Sequence, residues 1–169
     1  MSGAQNAGGR DNDQDRGDLV NIRPAIKDDV ARLLEIRFDA FAAQDFHDYS
    51  AREYKVLIQD VDLQELRAMI QAQCLFVAQE DDETICGLAG WYDGALRHVY
   101  IDPAYQGQAI ARQLIDKAET DYNERTGNRT IATGAISYAR PFYEKMGYSV
   151  VERGRDWDGS FFYRMQKVR

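Results

Sequence analysis

The stretch VYIDPAYQGQAIARQLI, residues 99–115, constrains this chain more than any other. It opens on an apolar, strand-like run that breaks at Asp102-Pro103. A short loop, 104–107, leads straight into a helix on which Ile110, Leu114, Ile115, Ala118 and Tyr122 share one face. A second strand is expected at 130–136, so this unit requires a right-handed crossover between parallel strands. Amides in the first turn of a helix have no partner within it, and the helix dipole adds positive charge there. Such a terminus suits an anion, above all phosphate. Gly107, Ala109 and Ala111 are small enough to let a ligand approach the backbone closely. The loop therefore reads as a pyrophosphate cradle, with tight loop–helix packing as the plain alternative.

The rest of the chain divides into alternating elements. Residues 1–18 are rich in Gly, Asn, Asp and Gln and have no large apolar residue after Met1, so they are expected to form a flexible tail. A single domain is expected over 19–169. A strand at 19–23 closes at Pro24. A helix at 27–43 carries an apolar stripe of Val30, Leu33, Leu34, Phe38 and Phe41. Asp48-Tyr49-Ser50 reads as a helix start. One or two helices then run to 71, burying Tyr54, Leu57, Ile58, Leu63, Leu66, Met69 and Ile70. Strands are expected at 74–79 and 84–92, joined by the acidic turn at 80–83. Asp93-Gly94 turns the chain into a strand at 96–101. Gly127-Asn128 ends the long helix. Beyond the strand at 130–136 come a short helix at 140–146, a strand at 148–152, a turn at Asp158-Gly159 and a last strand at 161–167. These elements predict an α/β fold, a mixed and mostly antiparallel sheet with helices on both faces.

Composition narrows the class of partner. The chain has 169 residues, 44% of them hydrophobic, enough for a proper core. Its net charge of -7 disfavours a non-specific nucleic-acid surface or an anionic membrane. No apolar run approaches the ~20 residues of a spanning helix, and the residues after Met1 do not form a secretory segment. Cys74 and Cys86 lie in apolar runs and read as reduced, buried thiols of a cytoplasmic protein. Two histidines and two scattered cysteines make no metal-ligand pattern, so no metal is expected.

Gln106-Gly107-Gln108-Ala109-Ile110-Ala111 resembles the acetyl-CoA signature Q/R-x-x-G-x-G/A of the GCN5-related N-acetyltransferases (GNAT). The lead-in V-Y-I-D-P-A-Y is similar to that family's strand-Pro-aromatic approach. A second stretch, Ala139-Arg140-Pro141-Phe142-Tyr143-Glu144-Lys145-Met146-Gly147-Tyr148, resembles its A-x-x-F-Y-E-K-x-G-F segment. The order of elements extends the resemblance over most of the chain, and it looks closest to small bacterial members. Two positions depart from the pattern. Ala109 stands where Gly is usual, and Ile136 where Asn or Ser is frequent. Ala109 is expected to adopt right-handed helical angles.

The resemblance implies a fold of six to seven strands whose central pair, 96–101 and 130–136, splays apart to admit the pantetheine arm. It implies acetyl-CoA as co-substrate and direct transfer to a primary amine of a small molecule, a peptide being the lesser expectation. A non-catalytic CoA-binding module and a transferase of larger acyl groups are the alternatives. Cofactor contacts are implied for Val99, Tyr100, Ile101, Gln106, Gly107, Gln108, Ala109, Ile110, Ala111, Arg112, Phe142 and Tyr143. A backbone amide within 99–101 would hold the oxyanion. Tyr143 matches the tyrosine that points at the cofactor sulfur, where a phenol can protonate or hold the leaving thiolate. The plain alternative is packing of its short helix.

His98 is the candidate base, since imidazole can deprotonate an ammonium near neutral pH. Strand alternation and the bulge common in this family leave open which layer it faces. His47 has less support. Ser137, Ser160 and the cysteines lack the elbow a covalent mechanism needs. Of Arg112, Lys117, Arg140 and Lys145, one or two are expected to reach the phosphates. Phe46, Tyr49, Trp91 and Tyr92 could wall an acceptor pocket or pack the core. The chain is expected to act as a monomer or homodimer.

Overall fold

Residues 74–78 are buried without a break, which a half-exposed strand cannot be. They lead through the second strand of a seven-stranded sheet, which is covered there on both faces. The computed structural model describes residues 20–43, 63–107, 109–155 and 161–169. The expected tail, Leu19, the helix start at Asp48-Tyr49-Ser50, the residues Phe46, His47, Tyr54, Leu57 and Ile58, Gln108, the turn at Asp158-Gly159 and Ser160 lie outside them.

The strands are β1 (Asn21–Pro24), β2 (Leu75–Gln79), β3 (Ile85–Tyr92), β4 (Ala95–Ile101), β5 (Thr130–Ile136), β6 (Ser149–Arg155) and β7 (Phe161–Val168). Their order across the sheet is β1-β2-β3-β4-β5-β7-β6. Only β4 and β5 run parallel among the described strands. The helices are α1 (Val30–Ala42), α2 (Leu63–Gln71), α3 (Ile110–Thr126) and the short α4 (Arg140–Lys145). The expected first helix thus begins as a separate 3-10 turn, Lys27–Asp29, before α1 proper.

Side chains of β2 alternate between two cores. Leu75 and Val77 pack with Leu33 and Ile36 of α1 and Leu66 and Met69 of α2. Phe76 and Ala78 pack with Ile110, Leu114, Ile115 and Ala118 of α3. Cys74 and Cys86 fall in opposite cores and are free thiols, which keeps them apart. Burial pushes the Cys86 thiol up to about 11, so it stays protonated and unreactive at neutral pH.

The α3 face follows the sequence expectation, whereas the α1 stripe is rotated. Leu33, Ile36, Ala40 and Phe41 are buried, while Phe38 points outward and is 52% exposed. The spacing 33, 36, 40 satisfies helical periodicity as well as the expected set does, and the sheet selects it. At the tight end of β3–β4, Asp93 and Gly94 have φ of 47° and 74°, as a two-residue hairpin turn with two left-handed residues requires. No described helix is long and apolar enough to cross a membrane.

Candidate active site

The parallel pair β4–β5 touches at one end and parts at the other. Its single ladder pairing is Ala95 with Ala132, supported by Ala132 N–H donating to Gly94 O at 3.2 Å. On its other edge β4 keeps pairing with β3 as far as Ile101. A cleft of about 1030 Å³ opens where the two strands diverge. It runs from the α3 loop, past the opened strands, to α4 on one side and to α1 and α2 on the other.

The loop is built to a fixed shape. Asp102 accepts from the Ala104 amide at 2.9 Å and pairs with Arg32 of α1. Tyr105 donates its hydroxyl to Glu80 at 2.9 Å, tying the loop to the β2–β3 turn. Gly107 has φ 83°. A Cβ there would meet nothing within 4 Å, so the constraint at this position is backbone conformation together with the space a ligand needs.

Ala109 corrects the sequence expectation. Its φ of 58° and ψ of 7° are left-handed, as the residue before α3, instead of right-handed helical. Ala109 is the residue before the first turn of α3, and Gly107 in the same loop is left-handed too, with φ 83°. That conformation costs about 1–2 kcal/mol in a residue with a Cβ, which is the physical reason a glycine suits this place.

No side chain caps α3, and its first turn holds no acidic residue. Gln113 N–H makes the first intrahelical bond, to Ala109 O at 3.2 Å. The amides of Ile110, Ala111 and Arg112 precede it, and these three residues line the cleft. Arg112 adds a cation beside the positive end of the dipole, an unfavourable place unless an anion joins it. Lys145 also borders the cleft. Arg140 instead pairs with Glu144 at 2.7 Å, and Lys117 lies 5.3 Å from the centre of the Phe76 ring, away from the cleft lining.

Farther in, Phe142 and Tyr143 of α4 face β5 across the cleft, their rings 5.2 Å apart in an edge-on contact. Burial pushes the Tyr143 phenol up to about 12, although the Thr133 hydroxyl of β5 pulls the other way. Tyr143 therefore remains a proton donor throughout the neutral range. Thr133 is itself 3% exposed and lies on the cleft wall. Ile136 borders the same wall.

His98 sits at a bulge. Between the pairs Leu88–Tyr100 and Gly90–Arg97, two residues of β4 oppose one of β3. His98 carries φ 51° there. The bulge shifts the alternation, so Leu96, Val99 and Ile101 pack on the α3 side and Tyr100 on the α1–α2 side. His98 turns toward α2, where Nε2 lies 3.1 Å from Glu65 Oε1. Both residues line the cleft, with Phe41 and Tyr100. Burial, the largest influence, lowers the His98 pKa below 6.5, against the raising effect of Glu65. The imidazole is thus neutral and able to accept a proton at pH 7.

Val99, Tyr100, Ile101, Gln106, Gly107, Ala109, Ile110, Ala111, Arg112, Phe142 and Tyr143 all line this one cleft. Trp91 and Tyr92 do not. Trp91 donates to Asp121 at 2.7 Å and packs on Tyr122, on the far part of α3. Tyr92 lies at the hairpin end, away from the splay. The aromatic walls come from Phe41 and Tyr100, 5.3 Å apart edge to face. Glu65 and Thr133 are the residues that sequence reasoning missed, since neither sits in a motif. Among the described residues no group of three or more His, Cys, Asp or Glu could hold a metal ion.

Residues 45–169 match the family model of the acetyltransferase (GNAT) domain. No curated protein sequence matches the chain. Among solved structures, it is similar to a GCN5-related N-acetyltransferase from Rhodopseudomonas palustris, at 21% identity and a TM-score of 0.75, covering 89% of this chain and 96% of the other. It is similar to the PaiA N-acetyltransferase from Thermoplasma acidophilum, determined in complex with coenzyme A, at 21% identity and a TM-score of 0.67, covering 89% and 99%. A chimeric spermidine N-acetyltransferase from Vibrio cholerae shares the fold at 18% identity and a TM-score of 0.58, covering 89% and 95%.

Proposed function

The chain belongs to the GNAT acetyltransferase family, and from that premise we propose that it transfers the acetyl group of acetyl-CoA to a primary amine of a small molecule, by direct attack in a ternary complex. The observation that carries this reading is the single β4–β5 pairing, which opens a cleft between the α3 amides and the Tyr143 phenol. A cofactor's pyrophosphate fits the first-turn amides of α3, with Arg112 and Lys145 at the rim. The pantetheine arm then lies along Val99–Ile101, whose backbone faces the splay and offers an amide to the developing oxyanion.

His98 takes the proton that an incoming ammonium must lose. Tyr143 donates a hydrogen bond to the departing sulfur. With its phenol at about 12 and a thiol near ~8.5, full proton transfer is uphill, so the bond stabilises the thiolate while solvent supplies the proton. The preference for a small amine draws support from the spermidine N-acetyltransferase that shares the fold.

The test is release of free CoA thiol from acetyl-CoA over a panel of spermidine, an aminoglycoside, free amino acids and aromatic amines, with mass spectrometry of products. An N-acetylated product is expected for at least one amine. CoA binding without thiol release from any acceptor defeats the enzyme reading. Faster release from propionyl- or succinyl-CoA than from acetyl-CoA replaces the donor.

A further inference from the structure

His98 holds an uncommon backbone conformation for a residue with a large side chain, with φ at 51°. Such strain persists only where the surroundings fix it, and a bulge re-aims the side chain it carries. Here the ring is aimed at α2, and the group it meets is the Glu65 carboxylate. The ring is 13% exposed and the carboxylate 22% exposed, so the pair is shielded from water without being sealed from the cleft. Glu65 lies in the first turn of an amphipathic helix whose buried Leu66 and Met69 anchor it to the sheet, so the carboxylate is held on a rigid element.

We propose that Glu65 is the positioning residue for His98: its carboxylate accepts the Nε2–H bond, fixes the tautomer that leaves Nδ1 bare, and so makes Nδ1 the proton acceptor for the incoming amine. The inference rests on the amine-acetylation reading above. An acceptor ammonium loses two protons on becoming an amide. The first passes through Nδ1 to solvent, the second leaves the adduct nitrogen for solvent, and the thiolate takes one proton back from solvent, so each turnover releases one. While Nδ1 is protonated the ring is a cation, and Glu65 offsets that charge at 3.1 Å.

The charged groups around the ring set the sign of the effect. Arg37 of α1 and Arg97 of β4 disfavour the imidazolium, as does burial, and Glu65 alone among the described neighbours favours it. Tyr100, with its ring centre 6.3 Å away, is neutral at working pH. Removing the Glu65 charge therefore leaves only influences that weaken His98 as a base.

The chain has two histidines, so the imidazole signals of the full-length protein can be assigned by a His47→Gln control. In 15N NMR the His98 ring of the wild type is expected in the Nε2–H tautomer. In Glu65→Gln, which keeps an acceptor oxygen but not the charge, the ring should titrate at lower pH. With the best acceptor of the panel, kcat should fall about tenfold and the acid limb of kcat/KM should move to lower pH. KM for acetyl-CoA and calorimetric CoA affinity should hold, as should the far-UV spectrum. Glu65→Ala should lose the tautomer preference as well, and Glu65→Asp should recover part of the rate. An unmoved ring titration and rate profile in Glu65→Gln and an unmoved tautomer in Glu65→Ala, alongside a His98→Gln variant that is slow, would overturn the role of Glu65 and leave His98 as the base. Wild-type rates in His98→Gln would overturn both.

Discussion

The two ends of the cleft use different parts of the chain. At the α3 end the groups proposed to face a ligand are backbone amides, and the loop before them carries two left-handed residues, Gly107 and Ala109. At the other end they are side chains, Tyr143, His98 and Glu65, whose properties depend on burial and on one another. A phosphate is held by many weak, fixed dipoles and needs no titration at neutral pH. Proton movement needs one group of the right basicity in the right place. Changes at the first end should therefore alter affinity, and changes at the second should alter rate.

The largest separation is expected from Tyr143→Phe. Removing the phenol while keeping the ring should lower kcat roughly ten- to a thousand-fold and leave CoA affinity within a few-fold. Because the phenol lies at about 12, kcat should show no basic limb near 10 belonging to Tyr143. A limb there that vanishes in the variant would break the assignment. The reverse pattern is expected from Gly107→Glu. A β-carbon at φ 83° is strained, and a carboxylate in the anion's place repels it. Calorimetry should show the Kd for CoA rising by about two orders of magnitude, and added salt should weaken wild-type binding as phosphate contacts are screened. Unchanged affinity in Gly107→Glu would remove the loop from the phosphate site.

The same division decided what could be read from the sequence. The strand–loop–helix unit, the extent of β5 and the apolar face of α3 follow from periodicity and turn residues, because these are local properties. The α1 stripe was ambiguous by about one helical step: Val30, Leu34 and Phe38 offer an alternative face to Leu33, Ile36 and Ala40, and only the sheet beneath decides. The residues read as cofactor-side cluster in sequence, and those among the described residues line one cleft. Glu65 and Thr133 reach the cleft through tertiary packing, 33 residues from His98 in one case, and no spacing announces them. Trp91 was equally silent: its partner Asp121 sits 30 residues away on α3, which drew the indole out of the acceptor region. The backbone angle of Ala109 could not be inferred from a resemblance that places glycine there, because glycine accepts either hand.

The smallest effect sharpens the comparison most, because it is expected to move stability and affinity together at a single backbone position. Ala109 holds φ 58° without the freedom of glycine. Relief of a left-handed β-carbon is worth about 1–2 kcal/mol, while glycine adds about 0.4–1 kcal/mol of unfolded-state entropy. Ala109→Gly should therefore stabilise the fold by about 0.5–1 kcal/mol, the opposite sign from a right-handed helical alanine, for which the same substitution destabilises. For a chain of this length that is a rise in Tm of roughly 1–4 °C. Loss of the methyl also lets the pyrophosphate come closer to the loop amides, and a shorter bond to a charged acceptor should lower the Kd for CoA up to about fivefold, near 1 kcal/mol. Calorimetric melting with and without CoA measures both at once. A lower Tm for Ala109→Gly without ligand would show that the left-handed angle carries no strain in solution. A raised Tm with unchanged Kd would place the strain in the loop and the pyrophosphate away from the methyl.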